Sequence, residues 1–577
     1  MKKITSVNLL LFTLIAIGLI FRISYLFIPL YDDSALIGIS AKYYDSLGNN
    51  LIVIPHPPLT TLFFLMSTYF LGISTFSLRL VPLIFNITIF FLALAIVNKI
   101  YNDKKINRIF TVLFSITFIP AFMSFLVDSD GSVMVFFILS ILYLLLNLTN
   151  TPKNSKSTKI NEFLVYLLFA AGVMTKFRFL IFILPLSFWF YFYCKDFRKT
   201  IVMLIKTILT SLFVFSAWAL TNYYIQGRAF IYSAQEILFH SSPSFISLSK
   251  FNPIIYINLF VVLTPLFVGT LILYIINLFS AIKIKTGNQL NFLKLLKEFI
   301  SSNEKWMLPW LFLLIVLFVL LPHQSAADYA RYYSIIFIPI LVVASKTIKE
   351  VNISLTSVLS VSAISITIGY ISALLNLSSD TFWYYLSASG PIIALNQKIM
   401  LFYLILSALF FVSFLVKQKK IFFLLFLLFS VSFNSFLLFS TVLDNTHRQL
   451  INVVENYAKD NYIKLPTYSW NEDIPFYVSK YSGKALLNIN VIDEREKNYA
   501  KELGSDENGY YDLDSDISEI EKAIKKYGGT VILLNYPQKY VIDMNPVNKE
   551  KINMIKQNCN LTKEVNYEHG EIQIFSC

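Results

Sequence analysis

The sequence predicts a polytopic α-helical membrane protein with about 13 transmembrane helices and a small C-terminal α/β domain, and three observations carry that expectation. Of 577 residues, 56% are hydrophobic and only 14% charged, and the mean hydropathy of +0.63 is far above that of a soluble domain. Apolar runs of about 20 residues, enough for a helix to cross roughly 30 Å of hydrocarbon, recur from Leu9 to Leu443. At Asp444 the composition changes abruptly, so 1–443 reads as a transmembrane domain and 444–577 as a water-soluble one.

The first run, 9–30, is too long for a signal-peptide core and lacks a small-x-small cleavage site, so it reads as a retained span interrupted by Arg22. With Lys2 and Lys3 cytoplasmic, this span delivers Tyr31 to the outside, and the next basic loop, with Lys99, Lys104, Lys105 and Arg108, belongs inside. Only one of 60–74 and 79–98 can then cross. The first is short, follows Pro57-Pro58 and ends at Gly72, so it is expected on the membrane surface, within an outer loop 31–78.

Spans then follow at 109–127, 131–150, 161–175, 177–194, 201–220, 253–276, 306–322, 332–345, 353–375, 399–415 and 421–443. Every loop assigned to the inside is basic, and the odd count places the C-terminal domain outside a cell (plasma) membrane with the N-terminus cytoplasmic. The same clustering accounts for the net charge of +13. Nucleic acid is not implied.

This topology collects Asp32, Asp33, His56, Arg79, Asp128, Asp130, Lys176, Arg178, His240, Asp328 and Arg331 on the outer face. Charges beside a bilayer are costly and point to function. "YDDSALIGISAKYYDSLG" reads as an amphipathic surface helix whose two acids either cap its first turn or serve a site. "DSDG" reads as a turn in which Asp130 caps the next helix and Gly131 allows the bend. Its D-x-D spacing also suits a divalent cation, Mg or Mn, held by Asp128 and Asp130.

"TKFRF" places Lys176 and Arg178 against the positive-inside preference, which an anionic ligand would explain; the plain alternative is snorkelling to the interface. Arg331 can grip a phosphate or pair with Asp328. The histidines stand singly, which argues against zinc, and no Walker or G-x-G-x-x-G loop appears.

In the C-terminal domain, 444–462 and "DISEIEKAIKKYGG" read as helices, while "ALLNINVI" and "TVILLNY" read as strands. "TYSWNEDIPFYVSKYSG" reads as a surface turn with exposed aromatics that could hold a sugar. Cys559 and Cys577 either pair or remain thiols.

The order of "YDD", "HPPLTTLFF", "SLRLVPLIFN", "DSDGSVMVFFILSILYLLL", "GVMTKFRFLIFILP", "AWALTNYYIQGRAF" and "RYYSIIFIPILVVA" resembles the GT-C glycosyltransferases of family 39, the type of protein O-mannosyltransferases and lipid A aminoarabinose transferases. The resemblance implies a 13-helix fold with surface helices in the first outer loop. It also implies inverting transfer of a monosaccharide from a polyprenyl-phosphate-linked donor to a protein, lipid or glycan acceptor on the outer face.

Within it, Asp33 or Asp32 is the catalytic acid, and the distance to Ala41-Lys42 favours Asp33. Asp130, Asp128, His56 and His240 would orient acceptor or sugar, with Asp130 preferred to Asp128. Lys176, Arg178, Arg331 and Arg79 would bind the donor phosphate. An Asp-Asp pair stands where Asp-Glu is usual, and Thr-Lys-Phe where Thr-Lys-Gly is usual. The W-W-D-Y-G signature of oligosaccharyltransferases is absent. The rival class is a secondary transporter or flippase for a lipid-linked or anionic substrate, but no internal repeat is visible and the charges collect on one face.

Overall fold

The computed structural model describes residues 6–24, 26, 58–149, 156–226, 303–307, 309–310, 313, 334–350, 405, 446–460, 467–469, 510–512, 517–535, 549–567 and 570–577. The expected features at Asp32, Asp33, His56, His240, Asp328 and Arg331, the strand "ALLNINVI" and the spans at 253–276, 353–375 and 421–443 lie outside these residues.

Helix α1 (Ser6–Ser24) is followed by α2 (Leu59–Leu71) and α3 (Thr75–Tyr101). At 13 residues, α2 is about 20 Å long, too short to span, and it buries Phe64 and Leu65 while exposing Met66, Tyr69 and Phe70. Gly72 ends it at φ 76°, a backbone suited to glycine. Ser74 then opens α3 with a reciprocal cap: its hydroxyl accepts from Ser77 N at 3.1 Å and Ser77 Oγ accepts from Ser74 N at 3.0 Å. The 27 residues of α3 reach about 40 Å. Among the described residues four helical stretches are long and apolar enough to cross a membrane: Thr75–Tyr101, Gly131–Leu148, Phe177–Cys194 and Phe197–Thr221.

Two turns of one design join helices at one end of the bundle. Asn102 turns left-handed at φ 48° and Asp103 caps α4 (Lys104–Ile116), accepting from Lys105 N at 2.7 Å and Ile106 N at 3.3 Å. Lys195 repeats this at φ 54° after α8 (Ile183–Cys194), and Asp196 accepts from Arg198 N at 2.9 Å at the start of α9 (Phe197–Gln226). Here too lies the last turn of α10 (Ser334–Glu350), where Lys349 pairs with Asp103. The expected basic loops are thus largely helix ends: Lys99, Lys104, Lys105, Lys156, Lys159, Arg198 and Lys349 all sit in terminal turns.

The opposite end is broken. The expected span 109–127 is two pieces, α4 and the short α5 (Phe118–Met123), separated by extended backbone at Thr117. A single turn, Ser129–Val133, kinks at Gly131 (φ −83°, ψ −126°) before α6 (Met134–Leu148). Val133 precedes α6 without a side-chain cap of its own and the kink carries the chain into the helix; the side chain of Asp130, expected as the cap, lies outside the described residues. Helix α7 (Lys156–Val173) stops before extended Lys176, and a tight 3-10 turn, Phe177–Phe182, leads into α8. Around these breaks Phe110, Phe122, Phe125, Trp189 and Trp310 fill one apolar core, and Trp189 Nε1 donates to the Trp306 carbonyl at 2.9 Å.

The C-terminal unit contains α11 (Thr446–Asp460), β1 (Thr467–Ser469), β2 (Tyr510–Asp512), α12 (Ile517–Tyr527), β3 (Thr530–Asn535), α13 (Lys549–Asn558), β4 (Asn560–Tyr567) and β5 (Gly570–Ser576). Its sheet runs β2-β1-β3-β5-β4, parallel between β1 and both β2 and β3, antiparallel across β5. The alternation of a strand divides "TVILLN" between two cores. Val531 and Leu533 join α12 and α13, whereas Ile532, with Ile572 and Ile574, joins α11. That second cluster continues into Phe64 and Leu65 of α2, Leu78 and Val81 of α3, and Val127. Cys559 and Cys577 form a disulfide that ties the start of β4 to the residue after β5. Tyr468, expected on an exposed turn, is wholly buried in β1 and donates to the Gly528 carbonyl at 3.0 Å, because it lies on the side of the sheet that packs with Val531, Ile520 and Ile555.

Candidate active site

The turn that leads into α6 and the turn that follows α7 meet beside the start of α2. Leu59 N donates to the Met174 carbonyl at 3.0 Å and Thr60 Oγ1 to that of Thr175 at 3.4 Å, so α2 fixes the turn that presents Lys176. The ammonium of Lys176 lies 3.9 Å from Asp128 Oδ1. Both side chains are largely buried, and at this distance the contact is a Coulombic pair and not a hydrogen bond. Lys176 and Asp128 come from elements more than a helix apart in sequence, and the fold brings them together.

Arg79, 1% exposed, enters the same region from the first turns of α3. Its Nη1 donates to the Phe125 carbonyl at 2.7 Å and its guanidinium lies 5.6 Å from the Phe125 ring centroid. Arg178 stands in the 3-10 turn beside Lys176, partly buried. The backbone of Asp130 lies in the kinked turn. Helix α10, whose first turn follows Arg331 closely in sequence, packs against both α5 and this turn. Of the site residues expected from the sequence, the structure therefore unites Asp128, Lys176 and Arg79, with Arg178 and the Asp130 backbone adjacent.

Two further polar residues here are not apparent from charge patterning. Arg22, read above only as an interruption of the first span, is buried and donates from Nη1 to the Gly18 and Ser115 carbonyls, from Nη2 to that of Phe114 and from Nε to Asn86 Oδ1. Asn86 Nδ2 in turn donates to the Pro120 carbonyl at 2.8 Å. The signal available for both is a strongly polar side chain inside an apolar run.

Chemically, a buried ammonium held by a carboxylate is a fitting receiver for a phosphate oxygen, since charge-assisted contacts strengthen away from water. Among the described residues no three His, Cys, Asp or Glu side chains gather to hold a metal ion.

Compared with solved structures, the chain matches ArnT from Cupriavidus metallidurans bound to undecaprenyl phosphate, with a TM-score of 0.62 over 99% of this chain and 98% of that one at 10% identity. The apo state of the same protein matches with a TM-score of 0.60 at 11% identity, again over 99% and 98%. The chain therefore shares its fold with that protein over nearly its whole length. The apo oligosaccharyltransferase of Archaeoglobus fulgidus aligns over 93% of this chain and 70% of that one, with 12% identity and a TM-score of 0.48. No family model and no curated protein match the sequence. The shared fold and the four long apolar helices agree with the sequence-based expectation of a polytopic helical membrane protein, and Asp128, Lys176 and Arg79 share one end of the helices.

Proposed function

We propose that the chain is a membrane glycosyltransferase that moves a monosaccharide from a polyprenyl-phosphate-linked donor to a protein, lipid or glycan acceptor, with inversion. One observation supports the reading above others: in a GT-C fold, the buried Lys176–Asp128 pair sits among broken helix ends, opposite the lysine-rich end that positive-inside orientation assigns to the cytoplasm. In this reading the helix count is about 13, the N-terminus is cytoplasmic, and both the site and the C-terminal unit lie outside a plasma membrane. The seam from Val127 to Ile574 supports placing them on one side.

Asp33, or Asp32, accepts the proton of the acceptor hydroxyl as its oxygen attacks the anomeric carbon. The bond from that carbon to the phosphate oxygen breaks, and polyprenyl phosphate departs carrying the negative charge. Lys176, Arg178 and Arg331 stabilise that charge, the electrostatic contribution expected to be largest in a dry site. Asp128 holds Lys176 in place, and Asp130, His56 and His240 orient acceptor and sugar. A divalent cation, where one is used, would be held by Asp128 and Asp130.

The test is release of free polyprenyl phosphate when the purified protein meets polyprenyl-phosphate-linked sugars and candidate acceptors. Wild type should release it, an Asp32→Ala, Asp33→Ala double variant should not, and Lys176→Ala should fall by about 10²-fold or more. Wild-type release no greater than that of the double variant would sink the reading. Uptake of the same lipids or of anions into proteoliposomes, without release, would favour the transporter.

A further inference from the structure

The segment from Phe114 to Phe125 faces an accounting problem. A helix end leaves carbonyls without intrahelical partners, and inside a membrane water cannot supply donors. Here the break at Thr117 and the end of α5 produce several such carbonyls in succession. Some are met locally: Thr117 Oγ1 donates to Leu113 O at 2.7 Å, Ser124 Oγ to Ala121 O at 2.5 Å and Ser132 Oγ to Met123 O at 2.6 Å.

The others are met by two neighbouring helices. Arg22 of α1 serves Phe114 O and Ser115 O, each at 2.8 Å. On α3, Asn86 serves Pro120 O at 2.8 Å and Arg79 serves Phe125 O at 2.7 Å. Asn86 and Arg79 stand two helical turns apart on one face of α3, and Asn86 also accepts from Arg22 Nε at 3.2 Å. These three side chains thus contact the irregular segment at successive heights, and the last contact is three residues before Asp128.

We propose that Arg22, Asn86 and Arg79 form a rail of positioning residues that sets the place of Asp128 and, through it, of Lys176. The kinetic part of this proposal rests on the transferase reading above, whereas its chemical-labelling part does not. Asn86 is the informative member, because it joins Arg22 to the Pro120 carbonyl and lies outside the site expected from the sequence.

The experiment uses the full chain in detergent micelles and an amine-acylating reagent, with peptide mass spectrometry reading the labelling rate of Lys176. Lys99 and Lys349, at the opposite end, serve as internal references. Asn86→Leu should raise Lys176 labelling by roughly threefold to tenfold, the size of coupling between neighbouring groups, and leave the references unchanged. Asp128→Asn should raise it as well, and the double variant should add little to either. With an active enzyme, Asn86→Leu should lower kcat by about tenfold or more with little change in KM for the donor, since a small misplacement is enough.

Should Asn86→Leu not fold, Asn86→Asp keeps an acceptor for Arg22 and sets a carboxylate oxygen in place of the donor to Pro120 O, and it should shift labelling in the same direction. Unchanged Lys176 labelling in a folded Asn86 variant, or equal rises at Lys99 and Lys349, would overturn the rail. An inactive wild type whose Lys176 still responds to Asn86 would overturn the transferase reading and leave the rail standing.

Discussion

The two ends of the helical bundle solve the same problem in opposite ways. At the basic end, one left-handed residue and one aspartate suffice to turn the chain, at Asn102-Asp103 and again at Lys195-Asp196. The backbone donors that cap those two turns come from within a few residues, and Lys349 of α10 adds one from far along the chain. At the broken end, carbonyls of Phe114, Ser115, Pro120 and Phe125 depend on side chains from α1 and α3. Local turns are portable and need nothing from the rest of the fold, whereas a segment held by distant donors keeps its shape only in this one context. Among the described residues, irregular backbone with buried charges thus gathers at the end that holds Asp128 and Lys176.

Substitutions can break or sharpen that contrast. The largest effect is expected for Arg22→Leu, which leaves carbonyls on α1 and α4 and the Asn86 oxygen without their donor; at about 1–3 kcal/mol for each buried unsatisfied group, a loss of about 4 kcal/mol should appear as a lowered unfolding midpoint in micelles. Opening the disulfide with Cys559→Ser and Cys577→Ser, which releases a closure over a separation of 18 residues, should cost about 3 kcal/mol. Limited proteolysis should then cut the C-terminal unit first, leaving the helical fragments intact.

Gly172→Ala comes next. A Cβ at Gly172 would stand 2.3 Å from Phe179 Cε1, and that ring is wholly buried against Phe169 and Phe182. Overpacking of about 2 kcal/mol should follow, together with faster hydrogen exchange across 174–182. In contrast, Lys195→Gly at the basic end should stabilise by about 1 kcal/mol, because a left-handed position favours glycine; a destabilised variant would show that this turn is not self-sufficient.

The smallest effect is the pH response of the Asp103–Lys349 pair. The hydrogen bond from Lys349, then those from Lys105 N and Ile106 N, hold the Asp103 carboxyl below its ordinary range. That contribution is present above the unfolded carboxylate value of about 3.9 and is lost as pH falls through the lower folded value. Bonding to Asp103 raises Lys349, so its contribution is complete below the unfolded value of about 10.4 and is lost as pH rises beyond it. Stability scans should therefore show no change from this pair between about pH 5 and 9, and Asp103→Asn should remove the responses at both extremes.

Much of this was legible in the sequence because membranes penalise misplaced charge. Asp128, Lys176 and Arg79 stand out in apolar runs, the short α2 reads as a surface helix, and the break after Val173 coincides with "TKFRF". The break at Thr117 is harder to see. Pro120 hints at it by removing a donor and crowding the preceding turn, but Pro82 and Pro339 lie inside continuous helices, so a proline alone does not decide. The rail was hidden for a different reason: its acceptors are backbone carbonyls, which every residue carries and no residue type marks. The β4–β5 hairpin escaped because its edge strand carries Lys563 and Glu564 among its alternating positions, which lowers its apolar signal.

The apolar seam beneath the sheet has a consequence for how the protein is made. Phe64, Leu65 and Val127 are synthesised long before Ile572 and Ile574, their partners in one cluster. Until β5 has been made and has paired with β3, the patch beside Asp128 is uncovered and open to chaperones and proteases that read exposed apolar surface. Covering that patch is therefore a late step of assembly, and in a cell it doubles as a check that the last strands have arrived before the protein escapes surveillance.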